Sequence, residues 1–165
     1  MPMEGHEILL VEDNPADATL VREALGKSVH PSQLTCSSDG ETAVAYLRGR
    51  SKSAARPDLI ILDLNIPKKD GGAILAEVKS DPDLRRIPVV VFSTSQSERD
   101  ISRSYELGAN CYVSKPVELQ RFFATVQEIV EFWYGCAKLP PGVPLSLNKD
   151  NKEKNERSHH ARIAD

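Results

Sequence analysis

Short apolar runs alternate with stretches of helical periodicity along the whole first part of this chain. Ile8-Leu9-Leu10-Val11, Leu59-Ile60-Ile61-Leu62 and Val89-Val90-Val91-Phe92 show no polar alternation, the pattern of strands covered on both faces. The pattern predicts strands over Glu7–Val11, Gln33–Cys36, Asp58–Asp63, Pro88–Phe92 and Asn110–Val113. A helix follows each. Asn14-Pro15-Ala16-Asp17 opens the first: Asn14 can cap it, Pro15 suits its first turn and Asp17 suits its positive end. Leu20, Val21, Ala24 and Leu25 give that helix its apolar stripe. The second helix starts at Asp39 or Gly40 and runs through Leu47, and the third covers Gly72–Ser80. The fourth spans Glu98–Leu107 and stops at Gly108, a suitable C-cap. The fifth and longest covers Glu118–Tyr134. Strand and helix alternating five times imply an α/β fold on a parallel sheet.

The pattern changes after Leu139. Pro140-Pro141-Gly142-Val143-Pro144 breaks regular structure, and Asn148–Asp165 has mixed charge and almost no apolar content, as a loosely attached tail does. One folded domain over 7–137 and an arm with a polar tail over 138–165 are expected, with no output domain. A net charge of −3 gives no reason to expect nucleic acid as a bulk partner. Cys36, Cys111 and Cys136 are scattered and odd in number, which points to reduced thiols in a cytoplasmic protein, with Cys111 a small core residue. No apolar h-region opens the chain, and no stretch is long enough to span a membrane.

Polar residues stand where the apolar runs stop. Glu12-Asp13 follows the first strand, Asp63 ends the third, Ser93 follows the fourth and Lys115-Pro116 follows the fifth. In a parallel sheet all of them share the carboxyl edge, where open α/β sheets place their sites. Three carboxylates gathered there repel unless a cation lies among them, and a hard, oxygen-ligated ion such as Mg²⁺ fits. Asp13 is the candidate direct ligand, Glu12 a ligand through water, and Asn65 can offer its backbone carbonyl. Lys115 supplies a point charge for an anion such as phosphate. Asp63 is the candidate nucleophile, since a carboxylate that accepts phosphate forms an acyl phosphate. Each residue also has a plainer use. Glu12-Asp13 can serve the following helix as a charge pair, Ser93 can cap a turn as Ser97 can, and Gly71 can serve tight backbone geometry. Proline bars Lys115 from helical geometry, and a cis Lys115–Pro116 bond would aim the lysine back across the sheet edge.

Taken together, Glu12-Asp13, Asp63, Ser93 and Lys115-Pro116 resemble the CheY-like receiver domains of two-component response regulators. The stretch Asp63-Leu64-Asn65-Ile66-Pro67 with Asp70-Gly71 is similar to that family's phosphoacceptor loop, and the spacings from Asp63 to Ser93 to Lys115 match its layout. The resemblance covers about Glu7 to Trp133. It implies a three-layer α/β/α sandwich, flavodoxin-like, with a five-stranded parallel sheet in the order 2-1-3-4-5. It implies a histidine kinase that passes phosphate to Asp63 with Mg²⁺ bound. It makes Ser93 and Tyr112 the switch pair, although Tyr112 also suits a fixed, partly exposed aromatic. It places Asn65 and Ser95 where the slow self-hydrolysis of the phosphoaspartate is tuned. The long basic Gly49–Arg56 connection, Phe122-Phe123 with Phe132-Trp133 and the C-terminal extension resemble the response regulators of bacterial phytochromes.

Two apolar lines run along the last helix. Leu119, Phe123, Val126, Val130 and Trp133 form one for the sheet, while Phe122, Ile129 and Cys136 form another. The second line suggests a homodimer, with Phe122, Ile129 and Trp133 at its interface, or else a cover formed by the Pro-rich arm folding back. Two rival functions stay open. Haloacid-dehalogenase-type phosphatases also use an aspartate, Mg²⁺ and a lysine, but place a second Asp where this chain has Asn65. A pseudo-receiver would signal by binding alone, without phosphate.

Overall fold

The structure is a computed structural model that describes residues 5–50 and 56–141. The elements expected from the sequence recur in space: β1 (His6–Val11), α1 (Pro15–Gly26), β2 (Ser32–Ser37), α2 (Gly40–Arg50), β3 (Leu59–Leu62), α3 (Gly71–Ser80), β4 (Val89–Ser93), α4 (Glu98–Glu106), β5 (Cys111–Ser114) and α5 (Leu119–Val130). All strands pair in parallel, in the order β2-β1-β3-β4-β5. This is the expected three-layer sandwich. Of the long Gly49–Arg56 connection, residues 51–55 lie outside the described residues, as do residues 142–165 of the arm and tail.

The unbroken apolar strands have a direct physical cause. Leu9, Val11, Ile60, Leu62, Val89 and Val91 point to one face, where Leu47 of α2 and Ile74, Leu75 and Val78 of α3 cover them. Their neighbours Ile8, Leu10, Leu59, Ile61, Val90 and Phe92 point to the other, against Val21, Ala24 and Leu25 of α1 and Val126 and Val130 of α5. With both faces covered, period-2 alternation separates two cores rather than core from water. Each fully buried Leu or Ile contributes about 1.5–3 kcal/mol.

Register then fixes where the strands end. Val11 lies beside Leu62, Leu62 beside Val91, and Ser93 beside Ser114. The last ladder bonds run from Glu12 N–H to the Ser37 carbonyl (3.0 Å), Asp63 N–H to the Val11 carbonyl (3.0 Å) and Lys115 N–H to the Ser93 carbonyl (2.8 Å). The polar residues after each strand are therefore pinned side by side. No peptide bond among the described residues is cis, so the Lys115–Pro116 bond is trans. The trans form is the favoured one for a prolyl bond, and the lysine reaches across the edge from it.

The last helix departs from expectation. Helical hydrogen bonding of the α type ends at Val130, and a π-helical turn, Glu131–Cys136, completes the element. Phe122, Ile129 and Trp133, expected at a dimer interface, face the inside of the molecule. Phe122 and Ile129 are buried, Phe122 packing against Phe92 with ring centroids 5.2 Å apart, and Trp133 is partly buried against the same core. Leu119, expected to face the sheet, is 56% exposed. At about 100° per residue, positions 119 to 133 of both supposed lines fall in a single arc of roughly 120°, so Phe122 and Ile129 turn to the core with the rest, and Leu119 is exposed because it stands in the first turn, beyond the edge of the core. There is one broad stripe, centred on Val126, and contact with α1 sets its phase.

The described start of the arm runs to the amino edge of the sheet. Arg56 is buried there and donates to the carbonyls of Asp83 (2.9 Å) and Pro141 (3.0 Å). Nearby, the Tyr134 ring stacks on His6 with centroids 3.7 Å apart, and His30 Nε2 lies 2.8 Å from Glu131 Oε2. Burial, with Asp58 and Glu7 close by, holds the Tyr134 hydroxyl well above the ordinary tyrosine pKa.

Phe122→Ala is expected to cost about 3–5 kcal/mol of unfolding free energy, as a large aromatic lost from a core does. Leu119→Ala should stay within about 0.5 kcal/mol of wild type. Urea denaturation followed by circular dichroism measures both, and equal effects would contradict this packing of α5.

Candidate functional site

The carboxyl edge gathers the residues that the sequence placed at the strand ends. Glu12, Asp63, Ser93 and Lys115 are all buried, while Asp13 is exposed at the rim. Oxygens of Glu12, Asp13 and Asp63 lie within 4.8 Å of one another. That trio suits a hard divalent cation: all donors are oxygen, the charge is concentrated, and one open side faces water.

Lys115 holds the cluster together. Its ammonium lies 2.5 Å from Glu12 Oε2, 2.9 Å from Asp63 Oδ2 and 3.0 Å from Asp17 Oδ2. Burial alone would lower the lysine pKa, but the hydrogen bonds to Glu12, Asp63 and Asp17 outweigh it and the pKa lies above the ordinary lysine value. Burial pushes Glu12 the other way, up to about 7, against the pull of Lys115. Asn14 N–H donates to Glu12 Oε1 (3.1 Å) and fixes that carboxyl relative to the cap of α1.

Asp63 is oriented from two sides. Lys115 engages Oδ2, and Asn65 N–H donates to Oδ1 at 3.3 Å. The loop that carries Asn65 is tight: a Cβ on Gly71 would lie 2.4 Å from the Asp63 carbonyl oxygen. Only glycine allows that approach, so Gly71 serves backbone geometry. Asp70 caps α3 by accepting from Ala73 N–H.

Ser93 ends β4 with its hydroxyl accepting from Ser95 N–H at 3.3 Å, a small turn of its own. Ser97, not Ser93, caps α4, accepting from Asp100 N–H. The Ser95 hydroxyl donates to Asp100 Oδ2 at 2.6 Å. Tyr112 is partly buried and its hydroxyl donates to the Ser95 carbonyl at 2.7 Å, which joins β5 to the β4–α4 loop. Cys111 packs partly buried on the core, and burial raises its thiol pKa, which leaves it a poor nucleophile.

Asp17 and Asp100 were not singled out as site residues by sequence reasoning. Asp17 reads as an ordinary acidic residue of a first helical turn. The available signal was its spacing, one turn beyond Asp13, which returns a side chain of α1 to the strand edge.

Comparison with known proteins agrees with this geometry. The model of the response regulator receiver domain matches residues 8–127. The response regulator Rcp1 of Synechocystis sp. is 50% identical over 135 residues, spanning 81% of this chain and 92% of that protein. The crystal structure of the phosphorylated cyanobacterial phytochrome response regulator RcpA superposes with a TM-score of 0.78 at 54% identity, covering 82% of this chain and 99% of that one. The Mn²⁺-bound form of Rcp1 gives a TM-score of 0.76 at 48% identity, with 82% and 99% covered. Sheet order, the acidic edge and these likenesses agree, and the chain belongs to the response regulator receiver domain family.

Proposed function

We propose that this protein accepts a phosphoryl group from the phosphohistidine of a sensor histidine kinase onto Asp63. The observation that carries this reading is the direct Lys115–Asp63 contact inside a pocket that also holds Glu12 and Asp13. In the transfer a carboxylate oxygen of Asp63 bonds to phosphorus, and the phosphorus–nitrogen bond breaks with its electron pair returning to imidazole. Asn65 N–H and Lys115 hold the carboxylate in place for that attack. Glu12, Asp13, Asp63 and the Asn65 backbone carbonyl would hold Mg²⁺, which when bound neutralises charge on the phosphoryl oxygens.

The receiver unit is taken as 7–137, with 138–165 an appended arm and tail. Ser93 and Tyr112 form the switch pair, and Asn65 and Ser95 flank the water that ends the signal. Signalling proceeds by altered contacts with protein rather than by binding nucleic acid, in the cytoplasm. The likeness to RcpA, a phytochrome response regulator, supports a bacterial phytochrome as the kinase. A homodimer through the last helix would use its exposed apolar residues Leu119 and Phe132, because Phe122, Ile129 and Trp133 are taken up by the core. A regulator fits better than a phosphatase, since Asn65 lacks the acid that a dehalogenase-type enzyme needs.

Wild type is expected to take up phosphate from acetyl phosphate only with Mg²⁺, giving a retarded band on a Phos-tag gel that Asp63→Asn lacks. A band that persists in Asp63→Asn would refute Asp63 as the acceptor. Metal affinity should depend on pH in a definite direction. Glu12 has its pKa raised to about 7, so below that pH a proton competes for the site. Mg²⁺ binding measured by titration calorimetry should therefore weaken by about tenfold between pH 7.5 and 6. An affinity that stays flat over that range would show Glu12 already ionised there.

A further inference from the structure

Lys115 has three N–H donors, and each meets a different carboxylate: Glu12, Asp63 and Asp17. Two of these partners have other duties. Glu12 and Asp63 belong to the trio that gathers within 4.8 Å, whereas Asp17 does not. Lys115 is the one side-chain partner that Asp17 has among the described residues. Asp17 is also placed with care. It stands in the first turn of α1, its N–H donating to Asn14 Oδ1 at 3.3 Å, and Asn14 N–H in turn donates to Glu12. The cap of α1 therefore sets Asp17 and Glu12 on the same lysine from two directions.

We propose that Asp17 is the positioning residue for Lys115 in the phosphorylated state. This inference rests on Asp63 as the phosphoacceptor. Once Asp63 is an acyl phosphate, it no longer offers a free carboxylate to the lysine. Glu12 would at the same time be one of the residues that hold the cation. Asp17 is then the one carboxylate partner of Lys115 with no competing demand. It keeps the ammonium at the sheet edge and leaves an N–H free to turn to a phosphoryl oxygen. Without it, the four-carbon stem is free to sample positions away from phosphorus, and the charge is no longer in place when phosphate arrives.

An acidic residue in a first helical turn also interacts favourably with the helix dipole, so the test must separate that role from this one. Asp17→Asn and Asp17→Ala are compared with wild type in the full chain, using acetyl phosphate at saturating Mg²⁺ and following phosphorylation on Phos-tag gels. Mg²⁺ affinity and thermal midpoint are measured in parallel. Both variants are expected to slow uptake by about tenfold, the effect of losing one charge-assisted hydrogen bond. Mg²⁺ affinity should change less than about twofold, since Asp17 is outside the ligand trio. In a Lys115→Ala background, Asp17→Asn should slow the remaining uptake no further, and Asp17→Glu in the wild-type background should recover part of the rate. Unchanged uptake in Asp17→Ala, a loss that persists in the Lys115→Ala background, or a parallel fall in Mg²⁺ affinity would each overturn the proposal. Wild type that takes up no phosphate would instead remove the phosphoacceptor reading, and this inference with it.

Discussion

A buried ammonium among carboxylates is the interaction on which the arrangement of this molecule turns. The Lys115 side chain is 4% exposed, and an isolated lysine so placed would give up its proton or unfold its surroundings. It stays charged because Glu12, Asp17 and Asp63 meet it from three directions. The carboxylates are equally dependent on the lysine. Four of them, with Asp13 at the rim, outnumber one ammonium, so the pocket stays negative and open to a further cation. That balance can exist only if the strand ends are held side by side. The fully covered sheet fixes them, since a one-residue slip of β1 or β3 would turn its core residues to the opposite face.

This dependence explains what could be read in the sequence. The strands were legible because burial on both faces leaves an uninterrupted apolar run, and the site was legible because its residues follow those runs directly. Asp63 and Lys115 needed no knowledge of side-chain packing to be placed together, only parallel strands in the right order. Asp17 escaped notice because a first-turn acid has an adequate local explanation. Its contact with Lys115 depends on how α1 lies over the edge, which a local pattern does not encode. Arg56 escaped for a similar reason: in sequence it closes a basic connection, yet in space it is buried against the Asp83 and Pro141 carbonyls.

The last helix was misread for a different reason. Leu119, Phe122, Phe123, Val126, Ile129, Val130 and Trp133 can be drawn as two lines or as one arc, and periodicity alone does not choose. The choice is made by depth. Phe122 can reach Phe92 and Ile129 can reach the α1 side, while Leu119 sits in the first turn beyond the edge of the core. Phe132, in the π-helical turn after Val130, lies outside that arc and is exposed, whereas its neighbours Trp133 and Tyr134 are partly covered.

The polar contacts beyond the pocket lead in one direction. Ser93 accepts from Ser95 N–H, the Ser95 hydroxyl donates to Asp100 in α4, and Tyr112 donates to the Ser95 carbonyl. A hydroxyl can donate and accept at once, so Ser93 could donate to a phosphoryl oxygen without giving up the Ser95 N–H. Competition for a hydrogen bond would therefore not by itself force a rearrangement here. Displacement would. A Ser93 hydroxyl drawn toward the pocket lengthens a contact that is already 3.3 Å, and Ser95 must follow or release it. Ser95 could not move far without straining its bonds to both Asp100 in α4 and Tyr112 in β5. Among the described residues Ser95 is thus the one that contacts Ser93, Asp100 and Tyr112 together, and it ties the strand end at the pocket to the start of α4 and to β5.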